Sequence, residues 1–86
     1  MYAKKFILTL SCPDRLGIVS KVSTFLYRRE AFILEMAQFG DVSTGRFFLR
    51  TGFEFQGKTP SIAEFSSEFE PIARELSLDW QLHDAG

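Results

Sequence analysis

The chain has 86 residues, 45% of them hydrophobic and 24% charged, with a net charge of −1. That is the make-up of one globular domain with a single small core, and it excludes a disordered chain or a strongly basic nucleic-acid binder. No apolar run approaches the roughly 20 residues of a membrane-spanning helix, so no contact with a membrane is expected.

The apolar stretch near the N-terminus, up to Leu10, is too short for a signal peptide and no small-residue cleavage site follows it. One cysteine, Cys12, and one histidine, His83, leave no internal disulfide and no Cys- or His-based metal cluster to expect. Together these features point to the reducing cytoplasm. Charge is unevenly spread: residues 1–50 hold eight Lys/Arg against four Asp/Glu, and residues 51–86 hold two against seven. Either two faces of one domain differ in charge, or the surface is self-complementary and favours association.

In chain order, Phe6, Leu8 and Leu10 alternate with Lys5, Ile7, Thr9 and Ser11, the period of a strand over about residues 4–12. Its second face is only partly polar, as in a central strand. Cys12-Pro13-Asp14 ends it, with Asp14 a good helix N-cap. Leu16, Ile18, Val19, Val22, Phe25 and Leu26 then recur at helical spacing, predicting a helix over about 16–29 with Arg28 and Arg29 in its last turn. Gly17 falls in the first turn, where it lets a ligand approach backbone N–H groups.

Residues 31–39 read as a second strand, with Phe32, Leu34 and Met36 on one side and Ile33, Glu35 and Ala37 on the other. A connector from Gly40 to Gly45 leads to a third strand over 46–55, so the two make an antiparallel hairpin. Ser61 to Glu64 has the pattern of a capping box, opening a helix over about 61–76. Pro71 inside it predicts a kink or a late start. Leu78, Trp80 and Leu82 alternate as a fourth strand, and residues 84–86 are a tail.

The order βαββαβ predicts an α+β domain of the ferredoxin-like split βαβ type: a four-stranded antiparallel sheet with both helices on one face. Right-handed crossovers set the strand order 4-1-3-2, with strand 2 a free edge. The sheet face without helices is expected to carry Ile7, Ile33, Ala37, Phe39 and Phe48, an apolar surface that calls for a partner.

Catalytic signals are poor. Cys12 and His83 fall on neighbouring strands, but a thiolate site needs a third, orienting group that the sequence does not supply. RNA-recognition motifs share the element order and present aromatics on strands 1 and 3; here strand 1 has no exposed aromatic and the net charge is negative. The strongest local signal is Cys12-Pro-Asp-Arg-Leu-Gly-Ile-Val19, a strand, a tight loop and a helix start whose backbone N–H groups suit a carboxylate. A plain β-to-α turn with a capped helix reads equally well.

Asp14-Arg-Leu-Gly-Ile-Val19 after an opening strand resembles the ACT domain, a regulatory module of amino-acid and one-carbon metabolism. Ser11 to Val19, Ile33-Leu-Glu35 with Gln38, Thr44-Gly-Arg-Phe-Phe-Leu-Arg50 and the closing Leu78 to Asp84 resemble the N-terminal segment of formyltetrahydrofolate deformylases. The resemblance covers nearly the whole chain, and the Thr-Gly-Arg-Phe-Phe block is its most specific part.

The resemblance implies that residues 1–86 are a single regulatory and oligomerisation domain. The parent enzyme would hydrolyse 10-formyltetrahydrofolate to formate and tetrahydrofolate for purine synthesis, and its formyltransferase-like catalytic domain is expected downstream. It implies no catalytic residue, metal or cofactor in this segment; 10-formyltetrahydrofolate would be the substrate of the parent enzyme. It places a small amino-acid effector, glycine or methionine, at Cys12, Asp14, Arg15, Leu16, Gly17 and Ile18. It implies homo-oligomers through ACT–ACT pairing, with Ile7, Phe32, Ile33, Ala37, Phe39 and Phe48 as interface candidates.

One departure matters. Many ACT domains enter strand 2 through Gly-x-Asn, and here that stretch is Glu30-Ala31-Phe32. Phe32 cannot hydrogen-bond an amino acid, so either its ring fills the site or Asp14 and backbone groups bind alone. Two other readings stay open. One is a free-standing ACT module that senses an amino acid and acts on a separate partner. The other is an enzyme in its own right.

Overall fold

The computed structural model describes residues 4–85; residues 1–3 and 86, the start of the N-terminal stretch and the end of the tail, lie outside the described residues. The elements are β1 (Lys5–Pro13), α1 (Ile18–Arg28), β2 (Ala31–Asp41), β3 (Arg46–Phe55), α2 (Ile62–Leu76) and β4 (Asp79–Asp84). They form one antiparallel sheet in the order β2-β3-β1-β4, the ferredoxin-like arrangement expected from the element order. No helix among the described residues is long and apolar enough to cross a membrane.

Alternation along β1 sends Phe6, Leu8, Leu10 and Cys12 to one face, and β3 adds Phe47, Leu49, Thr51, Phe53 and Phe55 to it. Both helices pack there: α1 through Ile18, Val22, Phe25 and Leu26, α2 through Phe65, Phe69, Ala73 and Leu76. The centre is aromatic. Phe69 meets Phe25, Phe65 and Trp80 with ring centroids 5.0, 5.7 and 4.9 Å away. Phe53 stacks on Phe6 and Phe65 at 6.1 and 6.0 Å.

Helix ends follow local chemistry. The capping box opens α2: the Ser61 hydroxyl accepts the Glu64 N–H at 3.1 Å and the Glu64 carboxylate accepts the Ser61 N–H at 2.9 Å. The late start expected from Pro71 does not occur, and α2 runs from Ile62 through Pro71 to Leu76. Pro71 is exposed, as is Ser67 one turn earlier, so the carbonyl it leaves without a donor can be hydrated. α1 starts later than predicted. Gly17 is its N-cap, at φ +92°, and Asp14 caps nothing there. Leu16 lies outside the helix and is 97% exposed instead of joining the core.

β2 differs most from expectation. A bulge between Ile33 and Glu35 leaves Leu34 without a partner and reverses the alternation. Ile33 pairs with Phe53 and therefore lies on the helix side, not on the open face. The open face carries Ile7, Ala37, Phe39 and Phe48, with Phe32 beyond the bulge. Phe39 and Phe48 stack there at 5.2 Å, 62% and 38% exposed.

The charge asymmetry is largely taken up within the chain. Lys4–Asp84, Lys21–Glu75 and Arg29–Glu68 each pair a base of the first 50 residues with an acid of the last 36. These are exposed pairs, each worth at most about 1 kcal/mol.

Candidate functional site

The loop between β1 and α1 is held at both ends. The Asp14 N–H donates to the Gly45 carbonyl at 2.9 Å, which ties the loop to the β2–β3 turn. That turn is closed by Gly45, at φ +70°, whose N–H donates to the Asp41 carbonyl at 2.8 Å. The Asp41 carboxylate accepts the Ser43 N–H and hydroxyl at 3.1 and 2.8 Å, and the Ser43 and Thr44 hydroxyls hold its carboxyl below the usual carboxylate range. On the other side the Arg15 guanidinium donates to the Glu75 carbonyl at the end of α2, 3.4 Å away.

Between this loop and β2 lies an open groove of about 430 Å³, lined by Arg15 to Ser20 with Gln38 and Phe47. Gly17 takes a left-handed conformation with no side-chain cap, so the N–H groups of the first turn are left for solvent or a ligand. Those donors sit at the positive end of the helix dipole. Gln38 adds a neutral donor and acceptor, and Leu16, Val19 and Phe47 add apolar wall. Such a groove suits a small zwitterion: carboxylate toward the helix start, side chain against the apolar wall.

Of the residues expected at the site, Arg15, Leu16, Gly17 and Ile18 line the groove, with the Ile18 side chain almost wholly buried. Cys12 is buried beneath it, and burial is the main reason its thiol is raised above the ordinary value. A thiol in that state is a packing group and not a thiolate. Asp14 turns toward Gly40: a Cβ there would come within 3.0 Å of its carboxylate, so Gly40 makes room for it. Phe32 lies six residues from Gln38 along β2, about 20 Å, and its ring does not reach the groove of its own chain.

Gln38 carries part of the family resemblance, but its place in the groove was not foreseen. The alternation that put Ala37 and Phe39 on the open face already put it on the helix side, where it pairs with Leu49; the sequence did not show that the loop after β1 lies beside it. Cys12 and His83 lie on opposite faces of the sheet, because His83 pairs with Ile7 while Cys12 pairs with the inward Phe47. Among the described residues no group of three or more His, Cys, Asp or Glu could hold a metal ion.

The formyltetrahydrofolate deformylase of a Corynebacterium species is 39% identical over 82 residues, 95% of this chain and 29% of that protein. The crystal structure of a formyltetrahydrofolate deformylase from Pseudomonas syringae pv. tomato superposes with a TM-score of 0.89 at 37% identity, covering 98% of this chain and 28% of that one. An ACT domain protein from Streptococcus pneumoniae shares the fold, with a TM-score of 0.83 at 23% identity over 98% of this chain and 92% of its own. No protein-family model matches the chain. The chain thus spans less than a third of the length of the deformylases it matches, and the matched stretch is their N-terminal part. With 39% identity along nearly all of its length, the chain has the ACT-domain fold and corresponds to the N-terminal part of the formyltetrahydrofolate deformylases it matches.

Proposed function

We propose that this chain is the regulatory and assembly domain of a cytoplasmic formyltetrahydrofolate deformylase. That enzyme would hydrolyse 10-formyltetrahydrofolate to formate and tetrahydrofolate and supply formate for purine synthesis. The observation that carries the reading is the near-full-length match at 39% identity to a protein of that name. In this reading the domain does no chemistry and binds no folate. Its groove between the α1 start and Gln38 takes a small amino acid, glycine or methionine, and copies of the domain pair to set the assembly.

The first test is calorimetry of the chain against glycine and methionine, with its mass in solution measured alongside. Saturable heat from one of them, lost in Gln38→Ala, supports the sensor. A dimer that gives no heat with either removes the sensing role and leaves assembly. The enzyme assignment is tested by exchanging this chain for the matching segment of the Corynebacterium protein. A chimera that keeps its oligomeric state and deformylase activity supports it; one that falls apart does not.

A second reading is an ACT module that acts on a separate partner. It is favoured by the Streptococcus pneumoniae ACT domain protein, in which the matched fold makes up 92% of the chain. Amino-acid binding with no effect on the chimera's turnover would support it.

A further inference from the structure

The outward positions of β3 are Arg46, Phe48, Arg50, Gly52 and Glu54, set by pairing with Pro13, Ser11, Thr9, Ile7 and Lys5. They are complementary about Arg50. One end carries a cation and the other an anion. Two residues before the centre stands a large ring, and two residues after it there is no side chain. Phe48, with Phe39 stacked on it, forms a ridge flanked by shallow grooves of about 270 and 250 Å³. Gly52 is buried beneath the Glu35 and Lys5 side chains, whose Cγ and Cε lie 3.1 Å from where a Cβ would sit.

We infer that this face packs on the same face of a second copy, about a two-fold axis that crosses the strands at Arg50. The inference rests on the self-association proposed above and names its surface. Such an axis maps each β3 position to the one equally far beyond Arg50. The Phe48 ring then lies on the Glu35 and Lys5 stems that cover Gly52, and Arg46 meets Glu54, twice per dimer. The two Arg50 side chains approach at the axis, where each is already held by its own Glu35 at 2.7 Å.

Glu54 has no ion pair among the described residues. Arg46 spends one donor on the Ser11 hydroxyl at 3.0 Å and keeps the rest of its five. Packed sheets lie about 10 Å apart and cross at about 30°. Arg46 and Glu54 are four residues from the axis, roughly 13 Å, where that angle shifts them sideways by about 7 Å. Two long side chains can span that shift. Within one chain the two are eight residues apart on a straight strand, about 26 Å, and cannot meet.

The experiment is sedimentation analysis of the parent chain, Arg46→Glu, Glu54→Arg, the double exchange and Phe48→Asp, with circular dichroism to confirm folding. Each single charge reversal should weaken the dimer about tenfold or more, because it sets like charges together twice. The double exchange should restore it, and Phe48→Asp should give a folded monomer. If Phe48→Asp does not fold, the charge exchange alone decides. A dimer unmoved by the single reversals, or loss without rescue in the double, overturns this packing while self-association stands. A monomeric parent overturns both.

Discussion

Truncation of Phe69 tests the core most directly. Its side chain is fully buried, and its ring joins α1, α2 and β4 through Phe25, Phe65 and Trp80. Replacing it with Ala removes the ring from a site walled by other rings that cannot collapse into the space. The expected cost is about 3–5 kcal/mol. A domain of this length holds about 4–13 kcal/mol in total, so the variant should lie close to the edge of folding. At about 4–8 °C per kcal/mol the melting temperature should fall by about 12 °C or more. With a urea m-value near 1–2 kcal/mol/M the midpoint should fall by about 1.5 M or more.

The assay is urea unfolding at one fixed protein concentration, followed by fluorescence of Trp80 and by far-ultraviolet circular dichroism. Trp80 is the one tryptophan of the chain and touches Phe69 directly. Two probes are needed because the substitution also alters the native emission. Phe69→Leu, which keeps most of the volume and loses the edge-to-face contacts, should cost about 0.5–1.5 kcal/mol per pair lost. An Ala variant within 1 kcal/mol of the parent would refute the placement of Phe69 between the helices and β4.

Backbone strain predicts changes of opposite sign at two positions. Gly17→Ala should cost about 1–2 kcal/mol at φ +92°, with open space around it, whereas Glu30→Gly at φ +58° should stabilise by up to about 1 kcal/mol; equal signs in urea melts would refute the assignment. Ser61→Ala should cost about 1 kcal/mol by removing the α2 cap. The Ser61 N–H holds the Glu64 carboxyl below its usual range. Its contribution is therefore present above the unfolded carboxylate pKa and lost as pH falls through the lower folded value. Glu64→Gln keeps an acceptor without the proton linkage and should flatten the acid limb of stability against pH. The Thr51 hydroxyl, fully buried, donates to the Glu35 carbonyl at 2.9 Å; Thr51→Val should cost about 1–2 kcal/mol in the same melts, and an unchanged midpoint would show that carbonyl to be satisfied elsewhere.

Element order and much of the core were legible in the sequence, because period-two and helical spacing report burial directly. Phe53, Phe65 and Phe69 fell inside as their spacing required, and Ser61 with Glu64 announced its cap three residues apart. These are local signals, and local chemistry suffices to read them. Three features were settled by contacts between distant segments. The bulge at Leu34 depends on how β2 registers against β3, and it moved Ile33 to the helix side. Asp14 looked like a cap, yet its N–H is claimed by Gly45 and its carboxylate by the space that Gly40 leaves. Leu16 had helical spacing but lies in solvent, because the left-handed turn at Gly17 starts the helix two residues later, at Ile18. Periodicity by itself determined which residues seek the interior. Strand register, which pairs Ile33 with Phe53, and loop anchoring, which ties Asp14 to Gly45, determined which of them line the groove and which lie on the open face of the sheet.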